Sequence, residues 1–431
     1  MIIKIIKNIY NNQLIKNSIY LMISNVFSLI IGFVFWIIAA RYYSPYDIGI
    51  VSVMLSGTYL ISMICTFGFP AALMFYLPRD PKNANRIINS CMIISIVASI
   101  ILSLIWILRI DIWIPKLESS INSVYIMIFI ILSVLETINS IMLNVFLAGR
   151  KSSYSLVKDT LFNISKMFPI ILFTGLGAIG ILLSWTIGSI LSIIVGFFLL
   201  YKLWKYIPTF TVDRIIKNMF VLSAGNYIAG IIGYLPISVL PIIIANLVST
   251  EAAGYFFISM TIASVLNAIP KYIANSLLVE SSNVDKFRDN VNTAIRFGIA
   301  IVFPGVLLFM ILGKYILNLF NTSYADYSLT TLIILSISSI PMLLNNIFNT
   351  VRNSQKRVIS IIINNLAIAG ITITLSIFLI KSMGIEGAAI SYLIANTFVA
   401  IAIIYSIKNP VEFTLKLYKG YIADFNLIFK N

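Results

Sequence analysis

The stretch KNSIYLMISNVFSLIIGFVFWIIAARYYSPYDIGIVSVMLSGTYL, residues 16–60, decides the fold class of this chain. It holds one apolar run at 18–40 and the start of a second at residue 48, with a short polar loop between them. A transmembrane helix needs about 20 mostly apolar residues, and a helix satisfies its own backbone polar groups in lipid. The stretch therefore predicts two membrane-spanning helices joined by a tight turn.

The rest of the 431-residue chain repeats this pattern. Hydrophobic residues make up 60% of the chain and charged residues 10%, against roughly 45–50% and about 25% in soluble proteins. With so few charges, most of the outer surface has to face lipid. We predict an all-α integral membrane protein with twelve transmembrane helices. The predicted spans are 18–40, 48–69, 87–108, 124–147, 155–174, 179–201, 220–247, 252–278, 293–313, 328–350, 358–380 and 386–407.

The basic residues predict how the chain is oriented. It carries 30 Lys and Arg against 15 Asp and Glu, a net charge of +15. On a soluble protein this excess would suggest a nucleic acid partner, but here the basic residues lie mostly between apolar runs. The side of the membrane that holds both termini has 22 of them and the other side has five. The positive-inside rule then predicts that both termini are cytoplasmic. We expect a multi-pass protein of the cell membrane with no nucleic acid partner.

Several kinds of catalytic site are excluded by composition. Histidine is absent, and the two cysteines, Cys65 and Cys91, lie inside apolar runs. This removes histidine-based acid–base catalysis and the common histidine and cysteine metal sites. The sequence has no Walker motif, no GxSxG motif and no paired carboxylates on a water-facing loop. We therefore predict a transporter rather than an enzyme, with no cofactor and no metal.

The two halves of the chain are related by an offset near 205 residues, which predicts an internal duplication. At this offset Ala40, Ser44, Gly49, Asn144, Lys151 and Ser155 meet Ala245, Ser249, Gly254, Asn349, Lys356 and Ser360. After a shift of two residues Gly177, Gly180, Ser184 and Trp185 meet Gly384, Gly387, Ser391 and Tyr392. Each repeat has six spans, and an even number predicts two parallel repeats around a central cleft, an arrangement suited to alternating access.

The duplication also predicts the domain organisation. We expect an N-terminal six-helix lobe at 1–201 and a C-terminal six-helix lobe at 220–407, joined by a cytoplasmic linker at 202–219. Residues 408–431 are expected to form a cytoplasmic amphipathic tail, since apolar residues are interspersed with lysines at roughly helical spacing.

Charged residues near the middle of a span are costly and mark functional candidates. Glu136 and Lys166 lie in this position, in the fourth and fifth spans. Glu136 shares a helix face with Ser140 and Asn144, with Asn139 alongside, and Lys166 shares one with Asp159 and Asn163. Two readings stay open and are compatible: a structural ion pair between Glu136 and Lys166, and an anion contact by Lys166 in a transport cavity.

The second half supplies mainly amide side chains. Asn267, Lys271 and Asn275 form a stripe in the eighth span, and Asn345 and Asn349 mark the tenth. Asn267, Lys271, Asn345 and Asn349 are cavity candidates, as are Glu136, Asn139, Asn163 and Lys166 of the first half. The asparagines would otherwise form interhelical hydrogen bonds. Lys271 lies towards the cytoplasmic end of its span, where it can extend its ammonium group to the headgroups.

The loop between the first two spans carries a family motif. It resembles the first external loop of the polysaccharide flippases in the multidrug/oligosaccharidyl-lipid/polysaccharide exporter superfamily, which reads A-R-x-x-[ST]-P-x-[DE]-x-G. The matching residues are Ala40, Arg41, Ser44, Pro45, Asp47 and Gly49. The segment STEAAGYF at 249–256 is a second-half echo that is also typical of the family. Twelve spans in two lobes agree with the resemblance across the whole chain.

The resemblance implies a function. These flippases move polyprenyl-phosphate- or pyrophosphate-linked oligosaccharides across the cytoplasmic membrane by alternating access, through a polar, cationic cavity. The expected partners are this substrate, membrane lipids and a glycan polymerase or ligase. Lys166 would contact the lipid phosphate, and Arg41 and Asp47 would belong to the external loop or gate. The alternatives are a multidrug/cation antiporter of the same superfamily and a membrane glycan polymerase or ligase; a lipid II flippase is disfavoured because that branch usually has fourteen spans.

Overall fold

A computed structural model describes residues 13–113, 121–213, 215–280 and 284–406, and these residues are overwhelmingly helical. The predicted tail at 408–431 lies outside the described residues. The α-helices are α1 Gln13–Tyr42, α2 Pro45–Cys65, α3 Phe69–Tyr76, α4 Ala84–Leu108, α5 Ile110–Trp113, α6 Ser123–Ala148, α7 Ser152–Ser165, α8 Pro169–Leu172, α9 Ala178–Trp204, α10 Ile215–Leu247, α11 Thr250–Glu280, α12 Val284–Phe320, α13 Thr322–Ile337, α14 Ser339–Ser354 and α15 Val358–Tyr405.

The helices account for all twelve predicted spans. Ten helical segments of the described chain are long and apolar enough to cross a membrane. One of them, α15, contains two predicted spans because its backbone breaks at Gly384. The predicted span 155–174 is the twelfth: it is divided between α7 and α8, so it does not form one continuous helix. The prediction of an all-α membrane protein is confirmed.

The chain forms two compact units, Met1–Ile231 and Ile232–Asn431. The division lies inside α10, so the first half of this helix belongs to the N-terminal unit. There Tyr227 donates its hydroxyl proton to the carbonyl oxygen of Ile64, and Met219 packs in the same hydrophobic core as Leu73. The seventh predicted span therefore contributes to both units.

The described part of the predicted linker is fastened to α4 by side-chain hydrogen bonds. Tyr206 Oη donates to Asn89 Oδ1 (2.7 Å), and Asn89 Nδ2 donates to Thr209 Oγ1 (2.6 Å). Further along, the backbone N–H of Asp213 donates to Ser90 Oγ (2.7 Å). The bond from Asp213 and a second one from the N–H of Thr209 to Asn89 Oδ1 (3.1 Å) satisfy backbone groups that lack a helical partner. Together these bonds make the segment part of the N-terminal unit.

The predicted duplication is visible in the backbone. Gly177 has φ 56° and ψ −140°, and Gly384 has φ 59° and ψ −137°, an unusual conformation shared at an offset of 207. Ser44 and Ser249 each accept a hydrogen bond from the N–H three residues later, at the starts of α2 and α11. The same local geometry thus recurs at matching places in the two halves.

One predicted pairing is shifted by a residue. The turns after α6 and α14 both place a basic residue in the left-handed region, Arg150 at φ 53° and Lys356 at φ 58°. The next N–H in each turn, that of Lys151 or Arg357, donates to the carbonyl five residues earlier. Lys356 therefore corresponds to Arg150 at an offset of 206. Pairing it with Lys151 was wrong because the offset changes along the chain.

Replacing Gly384 by alanine should destabilise the protein. Its backbone conformation costs an L-residue about 1–3 kcal/mol. An added Cβ at Gly384 would meet no atom within 4 Å, so backbone strain is the only cost. Thermal unfolding in detergent, followed by tryptophan fluorescence, should show a lower Tm for Gly384→Ala. The control is Gly370→Ala in the same helix, where the added Cβ also meets nothing within 4 Å and alanine favours the helix. Equal Tm values for both variants would contradict the prediction.

Candidate functional site

The strongest candidate site lies where the fifth predicted span is interrupted. α7 ends at Ser165 and Pro169 opens α8, because proline has no N–H to donate to the carbonyl of Ser165 and its ring crowds that carbonyl. Lys166 is the first residue of this break and only 2% of its surface is exposed. The break thus brings a lysine side chain into the interior of the N-terminal unit.

Three aromatic rings enclose the ammonium group of Lys166. Its Nζ lies 4.1 Å from the ring centroid of Trp185, 4.3 Å from that of Phe162 and 4.8 Å from that of Phe35. The negative faces of aromatic rings attract a cation at these distances. Among the described residues, no oxygen accepts a hydrogen bond from this Nζ. The cage stabilises the charge but leaves the hydrogen-bonding capacity of the ammonium group unused.

Glu136 is connected to this cage through Trp185. The indole Nε1 of Trp185 donates to Glu136 Oε1 (3.2 Å), while the face of the same side chain lies against Lys166. The ion pairs among the described residues are Lys158–Asp159 and Arg109–Asp111. The expected direct pair between Glu136 and Lys166 was therefore wrong. An aromatic ring separates the two charges, and the sequence pattern gives no sign of it.

Lys158 is a second buried cation, which the sequence analysis does not single out. It is 4% exposed, and its Nζ lies 2.9 Å from Asp159 Oδ1 and 3.2 Å from Asn139 Oδ1. Asp159 also accepts from Ser24 Oγ (3.3 Å) in α1. The spacing of eight residues from Lys166 was a signal that both lysines can lie on one side of the helix.

Asn163 lies between the two lysines in sequence. Its Nδ2 donates to Ser28 Oγ in α1 (3.1 Å) and to the carbonyl of Asp159 (2.8 Å). The structure therefore brings the predicted residues Glu136, Asn139, Asn163 and Lys166 into one region of the N-terminal unit, formed by α1, α6, α7 and α9. Lys166 differs from Glu136, Asn139, Lys158 and Asn163, each of which has a hydrogen-bond partner among the described residues.

The asparagines of the C-terminal unit pair with one another. Asn345 Nδ2 donates to the backbone carbonyl and to Oδ1 of Asn396, both at 3.1 Å, and so joins α14 to α15. Asn349 Nδ2 donates to Asn365 Oδ1 (3.2 Å) and its own Oδ1 accepts from Asn364 (3.4 Å). These contacts are interhelical hydrogen bonds, which hold the unit together without charge.

The two candidates in α11 have different surroundings. Asn267 Oδ1 is buried and has no hydrogen-bond partner in the described chain, so it is an acceptor available to a ligand. Lys271 is exposed, as expected for a lysine that reaches towards the headgroups. The structure does not place Lys271 among the buried polar groups.

The charged residues of the site have neutral counterparts in the second half. At the offset of 206 that the two turns share, Glu136 corresponds to Met342 and Lys158 to Asn364. The contact between Trp185 and Glu136 has a counterpart in Tyr392, whose Oη lies 3.4 Å from Met342 Sδ. The two contacts match in position but only one carries charge. The charged residues of this site therefore belong to the N-terminal unit, and the matching positions of the second half are neutral.

Asp47 supports the loop between α1 and α2. Its Oδ2 accepts hydrogen bonds from the N–H (3.1 Å) and the Oγ (2.6 Å) of Ser44, and its own N–H donates to Ser44 Oγ. This reciprocal pair is a capping box at the start of α2, where Pro45 is the first helical residue. The Oδ1 of Asp47 accepts from the N–H of Ala178 (2.9 Å), the first residue of α9. Arg41 is exposed in the last turn of α1. The motif therefore joins two inter-helix turns of the N-terminal unit.

The fold is shared with solved transporters. A lipid II flippase, MurJ, in an inward closed conformation is 16% identical, with a TM-score of 0.74 over 95% of this chain and 92% of that chain. An inward-facing multidrug resistance MATE family transporter of the MOP superfamily is 12% identical, with a TM-score of 0.69 over 91% and 95%. A MOP superfamily transporter from Pyrococcus furiosus is 13% identical, with a TM-score of 0.56 over 94% and 95%. The protein therefore has the fold of a membrane transporter.

The sequence itself gives the family. The model of the family described as "Polysaccharide biosynthesis protein" matches residues 14–279, which is more than half of the chain. The chain belongs to this family. No curated protein sequence matches it.

Replacing Asp47 by alanine should lower stability. The change removes the Asp47 half of the capping box at the start of α2. It also removes the hydrogen bond that the Asp47 carboxylate accepts from Ala178, and a hydrogen bond to a charged acceptor is worth about 1.5–3 kcal/mol. A lower Tm in detergent checks this. The control is Asp111→Ala, because Asp111 forms an ion pair with Arg109 in which both side chains are more than half exposed. If the two alanine variants unfold at the same temperature, Asp47 does not have this structural role.

Proposed function

We propose that this protein is a flippase that moves polyprenyl-phosphate- or pyrophosphate-linked oligosaccharide across the cell membrane. The family match and the transporter fold support a transport role in polysaccharide assembly. The observation that carries the proposal is the ammonium group of Lys166, which is buried among rings and has no acceptor in the described protein. Lys166 is the residue that would contact the phosphate of the substrate.

The energetics of Lys166 favour a ligand that brings oxygen atoms. A lysine at the centre of a transmembrane helix costs about 2.5–3.5 kcal/mol to insert. Cation–π contacts return about 0.5–2 kcal/mol, but they satisfy none of the three N–H donors. A phosphate supplies acceptors and the opposite charge, and charge-assisted hydrogen bonds are among the strong ones. A phosphate-bearing lipid therefore fits the site better than a neutral or cationic compound.

The same contacts weigh against a multidrug/cation antiporter. A cation site would offer a free carboxylate, but Asp159 is paired with Lys158, and Glu136 accepts from Trp185. Lys166 is the charged group of this region without a polar partner. Export of organic cations is the second candidate because the fold is shared with multidrug resistance transporters.

Alternating access completes the proposal. The repeats would form two lobes that change their relative arrangement, so that the substrate phosphate reaches Lys166 from the cytoplasmic side and leaves on the other side. Both termini would be cytoplasmic, as the distribution of basic residues predicts. A polymerase or ligase would then use the translocated oligosaccharide.

Replacing Lys166 by alanine or glutamate should abolish translocation, because the first removes the phosphate contact and the second repels the phosphate. Proteoliposomes loaded with a short-chain polyprenyl-phosphate oligosaccharide, with its sugar fluorescently labelled, report the transfer between leaflets. Lys166→Arg keeps the charge and should retain part of the activity. The control is Lys271→Ala, which removes an exposed lysine and should translocate normally.

The results separate the candidate functions. Wild-type rates in both Lys166→Ala and Lys166→Glu, at equal amounts of reconstituted protein, would refute the role of Lys166. Ethidium export by the same vesicles, without lipid translocation, would support the antiporter. Elongation of the labelled oligosaccharide by the protein alone would indicate a polymerase.

A further inference from the structure

A separate cavity lies within the C-terminal unit. Its volume is about 280 Å³, close to the roughly 300 Å³ at which small-molecule sites begin. It lies among the first turns of α12, the end of α14 and the end of α15. Apolar side chains form most of its wall, and Arg352 and Gln355 supply polar atoms. The lining residues used below are Ile295, Leu344, Phe348, Arg352, Ile404 and Ser406.

In the first half of the chain, the positions that match Arg352 and Ser406 belong to a hydrophobic core. In the matching turns the carbonyl of Phe146 accepts from Lys151 and that of Arg352 accepts from Arg357, so Phe146 corresponds to Arg352. Phe146 is fully buried, in a hydrophobic core that also contains Leu199. At the offset of 207 that Gly177 and Gly384 set, Leu199 corresponds to Ser406. The second half therefore has smaller or polar side chains where the first half has a filled core.

Arg352 gives the cavity a cationic end. Its Nη1 donates to Gln355 Oε1 (3.4 Å), and its guanidinium carbon lies 4.7 Å from the centroid of Phe348. Its Nε is buried and has no hydrogen-bond partner in the described residues, and no carboxylate there pairs with it. A buried donor without an acceptor costs roughly 1–3 kcal/mol. An anion at the mouth of the cavity would remove that cost.

Two neighbours strengthen the positive charge at this end. Lys356 and Arg357 are exposed in the turn that follows α14. The turn and the ends of α14 and α15 lie on the side predicted to be cytoplasmic, where headgroups of anionic lipids meet basic residues. Basic pockets between transmembrane helices on that side suit anionic headgroups. The apolar wall provides a surface for the acyl chain.

We propose that this cavity binds an anionic phospholipid of the surrounding membrane. The acyl chain would pack against Ile295, Leu344 and Ile404, and the headgroup phosphate would accept hydrogen bonds from Arg352. The exchange of Phe146 for Arg352 between the halves accounts for both features, because it opens the space and supplies the cation. The proposal does not depend on the substrate that the protein translocates.

Native mass spectrometry of the full-length protein tests the proposal. The protein is incubated in mild detergent with phosphatidylglycerol or with phosphatidylcholine of the same acyl chains, and the retained lipid is counted. Phosphatidylglycerol should be retained preferentially. Arg352→Gln removes the charge and should lower that retention about fivefold, the effect of one basic residue near an anionic headgroup. Arg352→Phe restores the residue of the first half and should abolish retention of both lipids at this site.

The controls separate this site from general attraction to positive charge. Lys151→Gln removes one exposed charge from the matching turn of the first half and should retain phosphatidylglycerol as the wild type does. Arg352→Phe should keep the wild-type Tm or raise it, because the ring fills the cavity. Equal retention of both lipids by the wild type, or wild-type retention of phosphatidylglycerol in Arg352→Gln and Arg352→Phe, would overturn the proposal.

Two other occupants give distinct results. Displacement of phosphatidylglycerol by far lower concentrations of undecaprenyl phosphate would show that a carrier lipid is the ligand. Phe413 lies 207 residues after Tyr206, which packs in the filled core of the first half. Increased retention of phosphatidylglycerol in Phe413→Ala would show that the C-terminal segment fills the cavity instead. Either result would overturn the assignment to a membrane phospholipid.

Discussion

Lipid offers no hydrogen-bond partner to a polar group, and this constraint shapes every part of the molecule. The backbone forms helices, which pair its own N–H and carbonyl groups. Hydroxyl side chains inside the helices donate to backbone carbonyls of the preceding turn, as Thr137 does to Ser133 and Ser184 does to Gly180. Asparagines of the C-terminal unit form hydrogen bonds with one another between helices. Lys166 stands out because its ammonium group is a buried charge that three aromatic rings surround and no oxygen of the described residues accepts from.

Much of the fold could be predicted because a membrane helix is specified by the length and hydropathy of one continuous stretch of sequence. Length and hydropathy were enough to find twelve spans, and the charges in the gaps gave the expected orientation. The interruption of the fifth span was harder, because α7, Lys166 and α8 together still have the composition of a single helix. The sequence comparison paired Lys356 with Lys151 instead of Arg150. Matching residue types does not show where one half has gained or lost a residue relative to the other.

The site could be predicted only as a set of residues. Periodicity identified Glu136, Asn139, Asn163 and Lys166, but it could not show that Trp185 separates Glu136 from Lys166. Which ring enters the space between two helices depends on how those helices pack, and that information is spread over α1, α6, α7 and α9. Lys158 was missed for a related reason, because its contacts with Asn139 and Asp159 depend on how α6 packs against α7.

The position of Trp185 has a spectroscopic consequence. The ammonium group of Lys166 lies against the face of its indole ring, and the carboxylate of Glu136 accepts from its N–H. The ring therefore experiences a strong local electric field, because the protein interior screens charge weakly. The emission energy of an indole depends on such a field. An anion that neutralised the ammonium group would change the field and shift the emission. The protein therefore contains a natural optical sensor of charge at its own candidate site, and no added label is required.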